Sequence, residues 1–378
     1  MMDFKPLASF IDRITSWRIP WAEVLVMHKN NTVFRYRNGF ANLEEKTPIS
    51  EGAIFNLYSM TKIMTCTAGL QLVEKGDILL RDPLSNYLPE YKEMTVKKTL
   101  INGDISLEKA ARPITVRDLF TMTAGFTYDI SSPSIQEAVK STNGTLSTRE
   151  LAKAIAKEPL LFEPGTHWNY SMCHDVLGAL VEVVSGRRFG DYLRDEITGP
   201  LGMKDTTFDL NEEQQARLIP QYIFNDDLDK AVRMDGNGFR VGTELESGGA
   251  GLLSTVNDYA LFLNALTGHG TSPDGVKILS RASVELMRTN HLNEQTSKDY
   301  SWDHMEGYGY GLGVRTHISK SLSGSLSPLG EFGWNGAAGC MAIIDPDSEL
   351  TVMYAQHLLN SQENYVQRRL RNIVYSCI

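Results

Sequence analysis

The chain has 378 residues, of which 42% are hydrophobic and 22% are charged, and its formal net charge is −9. This composition is typical of a globular protein, and the length predicts two domains or one large composite domain. The negative charge, with no run of lysines or arginines, argues against a nucleic-acid-binding surface. No apolar segment is long enough to cross a bilayer, so we expect no membrane partner.

The first segment, MMDFKPLASFIDRITSWRIP, carries Asp3, Asp12 and Arg13 among its apolar residues, which predicts an amphipathic helix rather than a signal peptide. The cysteines are scattered, without the paired spacing of zinc or redox sites. They predict buried free thiols in a reducing compartment, and therefore a cytoplasmic protein. The four cysteines are Cys66, Cys173, Cys340 and Cys377.

Strand patterns lie towards both ends of the chain. AEVLVMHKN (residues 22–30) and NTVFRYRNGFAN (31–42) are predicted strands joined by a turn at Asn30 and Asn31. After about Pro220, AVRMDGNGFRVG (231–242) is predicted to form a hairpin that turns at residues 235–238. Three further strands are predicted in YGYGLGVRTHI (308–318), EFGWNGAAGCMAIIDP (331–346) and ELTVMYAQHL (349–358).

Helical patterns and long loops fill the middle of the chain, from about Asp82 to Phe208. We therefore expect an α+β fold, in which an antiparallel sheet built from both chain termini is flanked by helices. The sheet domain would comprise residues 1–81 and 220–378, with a mostly helical domain inserted at 82–219 and a cleft between the two. Predicted helices are STRELAKAIAKE (147–158), HDVLGALVEVVSG (174–186), STVNDYALFLNALTGHG (254–270), ILSRASVELMRTNH (278–291) and NYVQRRLRNIVYSC (364–377).

One helix, FNLYSMTKIMTCTAGLQLVEKG (residues 55–76), is apolar or small on nearly every face and ends at Gly76, which indicates a buried core helix. Lys62 lies in its first turn, three residues after Ser59, so the two side chains share a face. Because burial disfavours the charged form, we expect an uncharged amine that accepts the proton of a nucleophilic Ser59. The alternative is a lysine that snorkels to the surface. A second S-x-x-K match, Ser106 to Lys109, is interpreted as a solvated helix start.

Two other segments offer groups for the same chemistry. Tyr170, in FEPGTHWNYS, precedes an apolar helix, and a phenol near a lysine can be held partly ionised and relay a proton; packing is the alternative. In EFGWNGAAGC, the small residues Gly336, Ala337, Ala338 and Gly339 would let a substrate lie along a strand, and a backbone N–H there could complete an oxyanion hole. The alternative is a bulge or a close contact between a helix and the sheet.

In this order and spacing, the three segments resemble the serine β-lactamase and penicillin-binding-protein superfamily, and most of all its class C-like branch, which includes the family VIII carboxylesterases. The resemblance covers nearly the whole chain. The motifs that carry it are YSMTK, LRDPLSNYLPEY, ITVRDLFTMTAGF, FEPGTHWNYS, GPLGMKDTTF, ESGGAGLLSTVNDYALF and GWNGAAG.

The resemblance implies that Ser59 is the acylated nucleophile, Lys62 its partner base and Tyr170 the proton-relaying tyrosine of a Y-x-N element. It also implies that the backbone N–H groups of Ser59 and Ala337 form the oxyanion hole. No metal or cofactor is expected. The expected partner is a small-molecule ester or amide, and the oligomeric state is not determined by the sequence.

The chain departs from the family pattern at two substrate-binding positions. Met172 replaces the asparagine of Y-x-N, and Trp334, Asn335 and Gly336 stand where the family has a K-T-G triplet. A carboxylate-bearing substrate would lose an amide and a cation there, so we predict a carboxylesterase acting on small acyl esters. The alternatives are a β-lactamase, a D-amino-acid peptidase or an acyltransferase that uses the same site, and a non-catalytic scaffold. The loops at residues 131–145 and 289–307 are expected to border the cleft.

Overall fold

An eight-stranded antiparallel sheet forms the framework of the computed structural model, which describes residues 2–100, 102–234 and 236–378. The strands that begin and end the chain meet in its interior, where Glu23 pairs with Ala355 and His28 with Leu350. The predicted α+β sheet built from both termini is therefore confirmed. In spatial order its strands are Tyr308–Tyr310, Arg315–His317, Phe332–Gly333, Met341–Asp345, Leu350–Ala355, Trp21–His28, Asn31–Asn42 and Thr47–Pro48.

The first hairpin shows how the local sequence fixes this sheet. Lys29 and Asn30 connect its two strands with φ of 51° and 65°. A two-residue hairpin turn that matches the right-handed twist of the strands requires positive φ at both of its central residues. The predicted turn is confirmed, although its centre lies one residue earlier than expected.

Side chains of the central strands alternate between two apolar clusters, as the twofold period of a strand requires. Ala22, Val24 and Val26 face a cluster shared with the first helix, Lys5–Thr15, and the last helix, Glu363–Cys377. Trp21 and Leu25 face the larger core, which continues through the remaining helices. The first helix is amphipathic as predicted, because Leu7, Phe10, Ile11 and Ile14 are buried on one side.

The helical region packs closely against the helix that follows Ser59, which spans Thr61–Lys75 and is called here the serine helix. A Cβ at Gly69 of this helix would lie 2.6 Å from the Phe120 ring, so only glycine allows the contact. The division of the chain into two domains stays a prediction. Helices between residues 82 and 219 are Val116–Phe120, Pro133–Ser141, Thr148–Ile155, Cys173–Ser185, Phe189–Leu193 and Glu212–Arg217.

Several helices begin or end at capping residues that were recognisable in the sequence. Ser147 caps its helix by accepting a hydrogen bond from the Glu150 N–H, and Thr255 does the same for the Asp258 N–H. Gly76 closes the serine helix with φ of 78°. In the part of the chain that the structure describes, no helix is long and apolar enough to span a membrane. Helices after residue 250 are Val256–Thr267, Arg281–Arg288, Thr296–Asp299, Lys320–Ser323 and Glu363–Cys377.

Secondary-structure predictions were wrong in four segments. The strand predicted over residues 308–318 is two antiparallel strands, Tyr308–Tyr310 and Arg315–His317. Residues 231–242 do not form a hairpin, because Lys230–Met234 pairs antiparallel with the preceding strand, Gln221–Asn225. Asp235 of the expected turn lies outside the described residues. The segment Ile105–Lys109, expected to begin a helix, pairs with Thr95–Thr99 in a separate hairpin. The strand expected over residues 331–346 is interrupted by a turn at residues 337–339.

Short sheets complete the description. Phe55–Asn56 pairs with Leu253–Ser254 just before the serine helix, and Leu358–Leu359 pairs in parallel with Gln221–Asn225. All four cysteines are free and buried, as predicted.

Candidate active site

Ser59 lies at a strained entry to the serine helix. A 3₁₀ turn at Tyr58–Met60 leads into the helix, and Tyr58 has φ of 49°, which a bulky residue adopts at a cost of about 1–2 kcal/mol. The Tyr58 ring is buried, and its hydroxyl donates a hydrogen bond to Gln221. These contacts hold the turn and place Ser59 in the wall of a cavity.

Lys62 is fully buried and does not snorkel to the surface. Its Nζ donates to Ser59 Oγ at 3.3 Å, to the Tyr128 hydroxyl at 3.2 Å and to the Gly249 carbonyl at 2.7 Å. An ammonium has three donors, and each of them has an oxygen acceptor here. The Nζ also lies 4.7 Å from the ring centroid of Tyr170, within reach of a cation–π contact.

The expectation of an uncharged Lys62 was wrong. Burial by itself lowers the pKa of Lys62, but Tyr128, Tyr170 and Asp175 together raise that pKa above its ordinary value. The stabilisation of the cation by these neighbours therefore outweighs the loss of hydration. These surroundings favour a positively charged Lys62 beside Ser59.

Asp175 is a buried acidic group behind this lysine. It accepts hydrogen bonds from Ser247 Oγ at 2.5 Å and from the Gly249 N–H at 3.2 Å, and so holds the segment whose carbonyl binds Lys62. Burial raises the pKa of Asp175, whereas Lys62 and the two hydrogen bonds oppose that rise. A Cβ at Gly249 would lie 2.5 Å from Asp175 Oδ2, so glycine is required for this approach.

Tyr170 lies where the sequence predicted, in the loop before Cys173–Ser185, and lines the same cavity as Ser59. Its hydroxyl accepts a hydrogen bond from Trp334 Nε1 at 3.4 Å. Its ring stacks on Tyr128, with centroids 5.4 Å apart and planes 11° from parallel. Trp334 therefore contacts the candidate proton relay directly, so its role is not confined to packing.

Sequence reasoning missed Tyr128, although it follows the quoted ITVRDLFTMTAGF segment by only two residues. A single tyrosine in a loop shows no periodicity, and its contact with Lys62 arises only in the folded chain. Burial raises the pKa of Tyr128, opposed by the neighbouring Lys62 cation, so its hydroxyl is protonated at neutral pH. The phenol adds a second aromatic wall and a third anchor to the lysine.

The candidate oxyanion hole is formed where two segments touch. A Cβ at Gly336 would lie 2.4 Å from the Leu57 carbonyl oxygen, so the turn containing Ala337 packs directly against the segment that leads to Ser59. Across the described ranges, neither the Ser59 N–H nor the Ala337 N–H donates to another residue. Both donors are therefore available for an oxygen that gains negative charge.

The cavity in front of Ser59 has a volume of about 520 Å³, within the usual range for small-molecule sites. Its walls include all the predicted substrate-binding residues except Met172. The side chain of Met172 does not border the cavity, whereas the equally buried Trp334 does, so the assignment of Met172 to substrate binding was wrong. The lining residues are Ser59, Tyr170, Ser301, Trp302, Asp303, His304, Met305, Trp334, Asn335, Gly336, Ala337, Glu363 and Asn364.

The two loops expected to border the cleft behave differently. Residues 301–305 of the segment 289–307 line the cavity, as predicted. Residues 131–145 contribute nothing to the described lining and include the helix Pro133–Ser141 instead. Sequence reasoning also missed Glu363 and Asn364, because the last helix lies more than 300 residues from Ser59 along the chain.

Comparison with known proteins agrees with the α+β fold. A family model described as Beta-lactamase matches residues 8–375. Protein Rv1367c of Mycobacterium tuberculosis is 32% identical over 325 residues, covering 84% of this chain and 80% of that protein. Esterase EstB of Burkholderia gladioli is 26% identical over 374 residues, covering 92% of this chain and 88% of that protein. The unliganded selenomethionyl structure of simvastatin synthase (LovD) from Aspergillus terreus superimposes with a TM-score of 0.83 at 24% identity, covering 100% of this chain and 99% of that chain.

Proposed function

The chain belongs to the Beta-lactamase family, and we propose on that basis that it is a serine hydrolase that cleaves small carboxylic esters through an acyl-enzyme on Ser59. The observation that carries the proposal is the contact between Ser59 Oγ and a buried Lys62 cation, 3.3 Å away, at a cavity with two free backbone donors. The similarity to an esterase across 92% of the chain supports the choice of ester substrates.

In the first step, Ser59 Oγ attacks the ester carbonyl carbon, and its proton passes to the oxygen of Tyr170, which begins the cycle as a phenolate paired with the Lys62 cation and becomes a neutral phenol. A charged Lys62 has no lone pair to accept this proton, whereas it favours negative charge on a neighbouring phenol oxygen. The carbonyl oxygen becomes an oxyanion that accepts hydrogen bonds from the Ser59 and Ala337 N–H groups.

In the second step, the bond to the alcohol breaks and the alcohol leaves with the proton held by Tyr170. Water then attacks the acyl-enzyme, again giving its proton to Tyr170, and release of the acid restores the Ser59 hydroxyl. Lys62 stays charged throughout. Its role is to orient Ser59 and to stabilise the phenolate form of Tyr170, which is the form that accepts a proton in each step.

The composition of the cavity supports esters over β-lactams and peptides that carry a carboxylate. Among the described residues that line it there is no lysine or arginine, and the acids Asp303 and Glu363 are present. Burial lowers the pKa of the lining His304 to about 4, so the imidazole is neutral near pH 7. A substrate carboxylate therefore meets no cation in this cavity.

The test compares p-nitrophenyl butyrate with nitrocefin as substrates of the purified protein. We expect steady ester hydrolysis and slow or absent nitrocefin turnover. Rapid nitrocefin turnover with negligible ester cleavage would overturn the preference for esters. Intact mass after treatment with a fluorophosphonate tests the nucleophile: an adduct on the wild type and none on Ser59→Ala is expected, whereas an unmodified folded wild type favours a scaffold.

Transfer of the acyl group to an alcohol is a second candidate for the same site. Trp302 and Trp334 line the cavity, and an organic alcohol gains from contact with these rings while water does not. Added 1-butanol should then divert part of the butyryl group into butyl butyrate. Formation of butyric acid alone at every alcohol concentration would leave hydrolysis as the activity.

The remaining expectations also stay proposals. We propose a small-molecule ester or amide as the partner, with no nucleic acid and no membrane; the net charge of −9 supports the exclusion of nucleic acid. Four buried free cysteines support a cytoplasmic location. Fractionation of the source cells, followed by detection of the protein, tests the location directly.

A further inference from the structure

Glu363 brings an acidic group from the last helix into the cavity that holds Ser59 and Tyr170. It is the first residue of that helix, and 27% of its side chain is exposed. Nothing in the proposed ester cleavage uses this carboxyl. Its position therefore calls for a role other than proton transfer to or from Ser59.

An acidic residue in the first turn of a helix often stabilises the helix terminus. In that role the carboxylate is favoured, and its pKa falls below the ordinary value. Burial instead raises the pKa of Glu363 to about 7, although Ser361 acts in the opposite direction. No hydrogen bond joins the Glu363 carboxyl to a backbone N–H in the described parts of the chain, so helix capping does not explain the residue.

Among the described residues, no lysine or arginine lies within 4 Å of this carboxyl. The one basic side chain within 4 Å among the described residues is His304, whose Nε2 lies 3.5 Å from Glu363 Oε2. His304 is neutral near pH 7, because burial and the nearby arginines lower its pKa. Of those arginines, Arg315 and Arg371 pair with the buried Glu331, and Arg368 lines a neighbouring cavity together with His304. None of the three lines the cavity that holds Ser59.

Aromatic rings line the same cavity as Glu363. The ring centroids of Trp302 and Trp334 lie 6.3 Å apart, and that of Tyr170 lies 5.3 Å from Trp302 and 5.9 Å from Trp334. All three residues line the cavity together with Glu363. Aromatic rings next to a carboxylate can bind an alkylammonium group, because the rings form cation–π contacts with the cation and the carboxylate attracts its charge.

Resting on the proposed function, we propose that Glu363 is a specificity-determining residue that, with Trp302 and Trp334, binds an alkylammonium group on the substrate ester. The positive arm occupies the aromatic end of the cavity while the ester carbonyl lies at Ser59. The same carboxyl repels an ester that carries a carboxylate. Esters of amino alcohols and quaternary ammonium alcohols are therefore the substrate class that this cavity selects.

The experiment uses three butyryl thioesters that differ only in the charge of the thiol arm. These are butyrylthiocholine (cation), S-(3,3-dimethylbutyl) thiobutyrate (neutral, same shape) and S-butyryl-3-mercaptopropionate (anion), assayed at pH 8 by release of thiol. We expect kcat/KM to be about ten-fold higher for the cation than for the neutral thioester, equivalent to about 1.4 kcal/mol, and lowest for the anion.

Glu363→Gln should bring the ratio of cation to neutral kcat/KM close to one. Glu306→Gln, which removes a charge three residues from Asp303 but outside the cavity, is the matched control and should keep the wild-type ratio. Asp303→Asn identifies the acid responsible. Loss of the preference in Asp303→Asn, with retention in Glu363→Gln, would overturn the assignment to Glu363.

Failure of the inference and failure of the proposed function give different results. Hydrolysis of the neutral thioester without any preference for the cation overturns the inference and leaves the esterase intact. Absence of all hydrolysis contradicts the esterase, and choline binding then tests the cavity by itself. Choline should change the tryptophan fluorescence of the wild type and bind several-fold more weakly to Glu363→Gln; equal binding, or no binding to either protein, overturns the inference.

Discussion

Lys62 Nζ lies closer to the carbonyl oxygen of Gly249, at 2.7 Å, than to the Oγ of Ser59, at 3.3 Å. The shorter hydrogen bond to the Gly249 backbone therefore fixes the position of the lysine, and the hydrogen bond to Ser59 is the longer of the two. A flexible base would need freedom to approach Ser59 and retreat from it. This geometry instead suits a fixed charge that orients the serine while a phenol carries the proton.

Removal of the Lys62 charge should abolish most of the activity. Lys62→Met should lower kcat for p-nitrophenyl butyrate by at least about 10³-fold, and about as far as Ser59→Ala, since groups that act as one unit are not additive. Lys75→Met, at the exposed end of the same helix, is the control and should keep near wild-type turnover. A folded, nearly active Lys62→Met protein would contradict the assignment.

Tyr128 should contribute less than Tyr170. Tyr128→Phe removes one acceptor of the lysine but keeps the ring stacked on Tyr170, so kcat/KM should fall by about ten-fold, the usual effect of one lost hydrogen bond to a charged group. Tyr170→Phe removes the proton relay and should cost about 10³-fold. Tyr300→Phe, whose hydroxyl has no hydrogen-bond partner in the described structure, is the matched control. Equal losses in Tyr128→Phe and Tyr170→Phe would make Tyr128 a proton carrier as well.

The proposed oxyanion hole depends on Gly336, a position where a side chain would collide with the Leu57 carbonyl oxygen. Gly336→Ala places a methyl group 2.4 Å from the Leu57 carbonyl oxygen, so the turn with Ala337 must move away from Ser59. We expect kcat to fall by about 10²-fold with a smaller change in KM, because the lost contact forms in the transition state. Gly238→Ala, with open space around the new methyl group, is the control and should leave kcat unchanged.

The predictable part of this protein is the part that short segments encode. Hairpin residues such as Lys29 and Asn30, and the spacing of Ser59 and Lys62, are visible in a few neighbouring positions. The charge of Lys62 was not predictable, because it depends on Tyr128 and Asp175, which lie 66 and 113 positions away along the chain. The sequence of one helix shows that Lys62 is buried, and burial lowers the pKa of a lysine. The neighbours that raise this pKa come from other parts of the chain and cannot be inferred from that helix.

The same limit explains the error at Met172. Met172 follows Ser171 and lies two positions after Tyr170, but its side chain is buried in the core and does not border the cavity. Met172→Asn would bury an amide there, and the free energy of unfolding should fall by about 2–3 kcal/mol. Urea denaturation measures this loss. A shift towards nitrocefin hydrolysis without destabilisation would return Met172 to the substrate site.

Glu363 should make stability depend on pH in a direction opposite to that of an ordinary surface carboxylate. Its pKa is about 7 in the folded chain, against an ordinary 4.5, so between these values the folded state binds more protons than the unfolded state. The free energy of unfolding of the wild type, relative to Glu363→Gln, should therefore be highest below pH 4.5 and decline as pH rises through 7. The full shift would correspond to about 3 kcal/mol, and the partial exposure of the side chain reduces our expectation to about 1–2 kcal/mol. Urea denaturation of both proteins at pH 5 and pH 8 measures the difference between their free energies of unfolding. The same difference at both pH values would show that the carboxyl is hydrated in the open cavity.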